Sequence, residues 1–188
     1  DYAYVTTQDS MLWVIDVSDL AAPVVVGSVS LPQSLYEPAY DLAVSGSFVY
    51  VADDYDGLVV VNVAHPSAPT IVAGLDTGGL VNGVTIAGDF AYITDYWYGL
   101  RVVDISQPLQ PVEIGSFATG QDVSSVVVSD GLAYVADGWK GLRIISVADP
   151  AAPVELGSID TPENAFDLAV KGEWVYVADS FGGLRVIN

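Results

Sequence analysis

Four stretches of this chain are versions of one another: "VYVADDYDGLVVVNV" from Val49, "AYITDYWYGLRVVDI" from Ala91, "AYVADGWKGLRIISV" from Ala133 and "VYVADSFGGLRVIN" from Val175. Tyr50, Tyr92, Tyr134 and Tyr176 follow one another at intervals of 42 residues. A weaker copy, "AYVTTQDSMLWVIDV", starts at Ala3, and its Tyr4 precedes Tyr50 by 46 residues. The four additional residues fall in the loop "SLPQSLYEPAY". A fixed period constrains the fold strongly, because each repeat must be one supersecondary unit that buries its apolar surface on its neighbours.

Within one period the pattern predicts four short strands. The first is "DLAVSG" (Asp41 to Gly46), followed by "FVYVAD", "GLVVVNV" and an "APTIVAG" segment opened by Pro69. Val, Ile and Tyr dominate these runs, and Gly, Asp, Ser and Pro separate them. Pro23, Pro69, Pro111 and Pro153 share one offset. Proline has no ladder donor, so it belongs on an edge strand or at a strand's first residue, which makes the last strand the outer edge. Leu58-Val59-Val60-Val61 does not alternate, as expected of a strand with both faces covered. The expectation is an all-β fold, a β-propeller of four-stranded blades about 42 residues long. About four and a half blades are present: 1–38 (partial), 39–80, 81–122, 123–164 and 165–188 (partial). Together they form one propeller domain or a portion of one.

The pattern gives three strands, then three full blades, then three strands, which matches neither a four-blade nor a five-blade ring. An open arc leaves a sheet face bare at each end, roughly 300 Å² each from strand spacing and rise. Leaving both bare forgoes on the order of 15 kcal/mol of apolar burial. We therefore expect either flanking blades of a longer chain or self-association through the open ends.

Twenty-four acids against five bases give a net charge of −19, which repels nucleic acid and anionic lipid. Hydrophobic residues make up 52% of the chain, yet Gly, Asp, Ser or Pro breaks every apolar run short of a membrane span. The chain has no cysteine, hence no disulfide framework and no thiolate chemistry. Asp1-Tyr2-Ala3-Tyr4-Val5 is already strand-like and carries no signal segment, so a secreted protein would be represented here in processed or excised form.

Candidate site residues gather at the tips of the hairpins between second and third strands. "DDYDG" (Asp53 to Gly57) resembles part of a calcium loop, but only Asp53 and Gly57 recur, and Lys140 stands where Asp56 does. Asp53, Asp95, Asp137 and Asp179 are read as turn acceptors, and Gly57, Gly99, Gly141 and Gly183 as positive-φ residues. No metal or cofactor site is predicted. Between them an aromatic recurs: Tyr55, Trp97, Trp139 and Phe181. Packed on a neighbouring blade these rings are core; exposed, they form an arc suited to a sugar or to an apolar protein surface. Arg101, Arg143 and Arg185 share an offset with Val59 and Trp13, and are expected to compensate nearby acids. His65 occupies a turn before Pro66 and assembles no triad or metal cluster. Asp41 and Asp167, at the start of inner strands where other copies have Gly83 and Ser125, suit a wet channel better than a glycosidase pair.

"GLRVVDISQPLQPVEIGS" (Gly99 to Ser116), "GLRIISVADPAAPVELGS" (Gly141 to Ser158) and "MLWVIDVSDLAAPVVVGS" (Met11 to Ser28) resemble the LVIVD repeat across essentially the whole chain. The first copy departs most, with Thr7 for the Asp and Met11 for the Gly, so its hairpin is expected to differ. The resemblance implies a β-propeller of a bacterial or archaeal cell-surface or secreted protein, without enzymatic activity. The functional expectation is a binding or adhesion scaffold for a protein or carbohydrate. A fibre- or layer-forming assembly protein is the second reading, and a polysaccharide hydrolase the third.

Overall fold

The computed structural model describes residues 1–32, 39–120 and 122–188. The four-residue insertion predicted before the second repeat lies in the loop containing 33–38, and those six are outside the described residues.

Every repeat folds into an antiparallel sheet whose strands follow chain order from one edge to the other. The first sheet holds β1 (Tyr2–Thr7), β2 (Met11–Asp16) and β3 (Val24–Ser30). The second holds β4 (Asp41–Ser45), β5 (Phe48–Ala52), β6 (Leu58–Asn62) and β7 (Thr70–Leu75). The third is β8 (Val81–Ala87), β9 (Phe90–Asp95), β10 (Gly99–Asp104) and β11 (Val112–Phe117). The fourth is β12 (Val123–Ser129), β13 (Leu132–Asp137), β14 (Leu142–Ser146) and β15 (Val154–Ile159). The last has β16 (Asp167–Lys171), β17 (Trp174–Ala178) and β18 (Leu184–Ile187). The first sheet begins at the second strand of the repeat, and the last sheet ends at the third.

The fold is a partial β-propeller. Inner strands β4, β8, β12 and β16 pack in succession, each on the next, and a separate apolar core fills each gap between adjacent sheets. The middle strands explain the unbroken apolar runs. Val49, Val51, Val59 and Val61 face the first sheet with Leu12 and Val14, while Tyr50, Ala52, Leu58 and Val60 face the third with Val81, Ala91 and Ile93. Pro69, Pro111 and Pro153 immediately precede β7, β11 and β15, which form the outer edge as predicted. All four pairings onto an outer strand carry a register shift, at Val14/Ile15, Val60/Val61, Val102/Val103 and Ile144/Ile145. Such bulges add local twist and turn the outer edge away from further pairing. His65 accepts the Ala68 amide at 2.8 Å through its backbone carbonyl, closing the turn before β7.

Adjacent blades are also joined through backbone at the inner end. Asp54, after the acid that ends the second strand, exchanges two hydrogen bonds with Val81, N to O at 3.1 Å and back at 3.0 Å. Tyr96 at the same offset accepts from Asp122 at 3.1 Å, and Gly138 accepts from Ala165 at 2.9 Å. Three hairpin tips are thereby tied to the residues leading into the next inner strand.

The tips need glycine for a physical reason. Gly57, Gly99, Gly141 and Gly183 have φ of 76°, 92°, 74° and 76°. In the first sheet, where Met11 replaces the glycine, the positive φ moves to Ser10 (55°), and the Thr7 hydroxyl donates to Asp9 at 2.5 Å. Space is restricted as well, since a Cβ on Gly141 would lie 2.3 Å from the Ile159 carbonyl oxygen. Gly141→Ala is expected to cost about 2–4 kcal/mol, measured by denaturant unfolding as a lower midpoint at unchanged slope.

Candidate functional site

A buried carboxylate, Asp53, Asp95, Asp137 or Asp179, opens four of the tips, and in the last three of them it serves as a hub. Asp95 Oδ1 accepts the Trp97 and Tyr98 amides at 3.2 and 3.3 Å, and Oδ2 accepts the Thr77 hydroxyl at 3.2 Å and Arg101 Nε at 3.0 Å. Arg101 then reaches Glu113 on the outer strand at 2.7 Å. The fourth sheet repeats the chain, with Arg143 bonded to Asp137 and, at 2.8 Å, to Glu155. Arg185 meets Asp179 at 3.1 Å. At Asp179 burial pushes the pKa up, but the Thr161, Arg185 and Glu163 hydrogen bonds outweigh it and hold the carboxyl below its usual range. The arginines compensate charge within their own sheets, as their offset suggested.

The second sheet breaks this cassette. Val59 stands at the arginine offset and Ile71 at the glutamate offset, yet Asp53 remains and is 2% exposed. Burial, with the charges of Asp56 and Asp54, pushes its pKa up to about 7. An acid whose folded-state pKa is raised favours the folded state most at low pH. The stability it contributes is lost as pH rises from about 4, the unfolded value, through about 7. Asp53→Asn is expected to be more stable than the parent above pH 7 by on the order of 2–4 kcal/mol, the difference shrinking toward pH 4. Unfolding midpoints of both proteins across that range measure it.

The four recurring aromatics stand at the loop apex rather than on a sheet face. Tyr55 is 43% exposed, Trp97 40%, Trp139 63% and Phe181 97%. The alternative in which they pack as core is therefore corrected: the apex projects past the sheet-to-sheet contact that would bury them. Tyr55 and Trp97 meet edge to face, with centroids 5.9 Å apart and planes at 65°. No ring contact links Trp139 or Phe181 to them among the described residues. Arg101 lies 4.9 Å from the centroid of Tyr98.

A second feature at the same end lay outside the sequence reading. The residues just ahead of the inner strands, Tyr40, Asn82, Ser124 and Phe166, share one offset. They line a cavity of about 560 Å³ together with Tyr55 and Tyr96 from the tips. An adjoining space of about 220 Å³ shares those four residues and is bounded by Asp41 and Asp167. Asp41 accepts the Leu42 amide at 2.8 Å and, from the next sheet, the Val84 amide at 2.9 Å. Asp167 accepts the Leu168 amide and the Ser125 hydroxyl, both at 2.8 Å. Burial raises the Asp41 pKa, the two amides oppose it, and the charge of Asp167 adds to the rise. The inner-strand tether thus brings Asp41 and Asp167 to one space, while Gly83 and Ser125 complete their offset. The signal that could have revealed the cavity is an offset that changes character in every copy, Tyr, Asn, Ser and Phe, inside a scaffold that otherwise repeats.

Comparison with known proteins bears on the architecture. The model of the LVIVD repeat matches five times, over residues 1–30, 38–77, 78–119, 120–161 and 162–188. Among solved structures, the computationally designed Ika8 protein superposes with a TM-score of 0.79 at 12% identity, covering 98% of this chain and 54% of the designed one. A functionally unknown protein from Desulfotomaculum acetoxidans DSM 771 gives 0.77 at 16% identity, covering 100% of this chain and 65% of that one. The designed Ika4 protein gives 0.69 at 14% identity, covering 86% and 96%. This chain thus spans about half the length of Ika8, and these likenesses establish the fold alone. No curated protein sequence matches it. Five matches in register with the five sheets place the chain in the LVIVD repeat family.

Proposed function

We propose that the chain is a non-enzymatic binding scaffold of the cell surface or extracellular space that engages a protein or carbohydrate partner through its hairpin tips. The observation that carries this reading is the exposure of Tyr55, Trp97, Trp139 and Phe181 at one offset on one end of the arc. Large rings left in water at a repeated position cost solvation, and they supply contact area with little rotamer entropy to lose on binding. The net charge of −19 suits a soluble surface that repels nucleic acid and anionic membranes.

Assembly through the terminal sheets is the second reading, and it has its own support. Trp174, Leu184 and Val186 are exposed on the last sheet, although Leu58 and Val60, at the offsets of Leu184 and Val186, are fully buried against a following sheet. Val5 and Val25 are exposed on the first sheet, whereas Val51, at the offset of Val5, is buried against a preceding one. Either face would take a further sheet.

A glycan array probed with the labelled chain and with a Trp97→Ala/Trp139→Ala double variant tests the first reading. Loss of bound signal by about tenfold or more in a variant that keeps its unfolding midpoint is the expected result. Unchanged glycan binding by the folded variant removes the tips from the site. Light scattering from micromolar to higher concentration reads the second: growth in mass with concentration is its expected outcome.

A further inference from the structure

We infer that the axial cavity is a binding site for an organic ammonium ion, seated among Tyr40, Tyr55, Tyr96 and Phe166 with its charge directed toward Asp41 and Asp167. This goes beyond the tip-borne binding proposed above and uses a different set of side chains, Tyr55 alone being common to both.

Three observations converge on that ligand class. The first is shape and lining. The cavity, about 560 Å³, lies within the ~300–1,000 Å³ range of small-molecule sites, and its aromatic residues come from three different repeats. Aromatic rings present negative potential on their faces, and several rings around one space form the arrangement that favours a quaternary or alkylated ammonium. The Arg101–Tyr98 contact at 4.9 Å is a case of the same attraction within this molecule, one residue beyond the exposed tip ring.

The second observation is charge. Asp54 lines the aromatic cavity, Asp41 and Asp167 bound the adjoining space, and no lysine or arginine lines either one among the described residues. The buried tip acids Asp95, Asp137 and Asp179 are each met by an arginine from the same sheet, Asp53 is not, and the more exposed Asp41 and Asp167 have no cation either among the described residues. Asp41 and Asp167 are held by amides and a hydroxyl, which orient the carboxylates without neutralising them. The charge of Asp167 acts on Asp41 across the axis, and a cation placed between the rings and these carboxylates relieves that repulsion. A neutral ligand of the same shape does not.

The third is the source of the lining. Tyr40, Asn82, Ser124 and Phe166 occupy one offset, so a symmetric scaffold carries an asymmetric wall. Aromatics stand at two of the four positions, while Asn82 and Ser124 between them spend their side chains on bonds to Val123, Thr94 and Ala165, so the ligand meets rings on two sides and a wall of fixed polar groups between.

The test is calorimetric titration of the full chain at low ionic strength with choline, and in parallel with its neutral carbon isostere, neohexyl alcohol. Choline is expected to bind at least about tenfold more tightly than the alcohol. Tyr96→Ala and Phe166→Ala should each weaken choline by about tenfold, while Tyr96→Phe, which keeps the ring, stays within about twofold of the parent. Asp167→Asn should weaken choline and leave the alcohol unchanged, and circular dichroism reports whether each variant is folded. Equal affinity for the two compounds, no heat from either, or choline binding that survives both ring deletions in folded variants overturns the inference. Any of those results leaves the tip-borne reading in place, because that reading is scored on other side chains and on glycans.

Discussion

Val59 and Val61 point to one neighbouring sheet while Leu58 and Val60 point to the other, and all four are essentially removed from water. A strand buried on both sides cannot be stable in a sheet that stands alone, so each repeat depends on the ones before and after it. This requirement sets the rest of the structure. It produces the separate cores in the gaps between sheets, it pushes polar and charged groups to strand ends, and it leaves the two terminal sheets with one apolar face each that no other sheet covers. Stability in such an array is a sum over neighbouring contacts rather than a property of one central core.

Because the sheet faces are committed to packing, the ends of the strands carry the polar chemistry. The buried acid at each tip is affordable only with donors around it, and in the third and fourth sheets it heads a chain of aspartate, arginine and glutamate running from the hairpin to the outer strand. The cassette changes as a unit. Where arginine becomes Val59, glutamate becomes Ile71, and in the first sheet Thr7, Trp13 and Val25 stand at all three offsets. Only the second sheet keeps the acid without its cation, and the physical cost appears as the elevated pKa of Asp53.

Much of this was legible in the residues alone. The period revealed five repeats in order, the alternation of β-formers with Gly and Asp placed the strands, and Pro69, Pro111 and Pro153 named the outer edge correctly, because each of these is a local or strictly periodic signal. The role of the tip glycine was readable for the same reason, whereas of the four tip aspartates only Asp95 turns its carboxylate to the amides of its own turn, Asp137 and Asp179 facing arginine instead. The exposure of Trp97 and Trp139 was not legible, since an aromatic at a loop apex and one in a sheet gap have the same composition signature and differ only in how far the apex overhangs its neighbour. The axial cavity was least legible of all. Tyr40 and Phe166 are 126 residues apart and come together only through the curvature of the whole arc, and repetition, the strongest guide in this chain, directs attention away from positions that do not repeat.

The backbone ties between neighbouring blades bear on that last point. Asp54, Tyr96 and Gly138 hold adjacent sheets together through peptide groups. Asp54 and Gly138 do so at positive φ, 45° and 52°, while at Tyr96 the left-handed residue is its partner Asp122, at 78°, so the joint survives a change of side chain by moving one residue along the chain. A molecule built this way can be given a new internal surface one blade at a time, without losing the joints that keep it assembled.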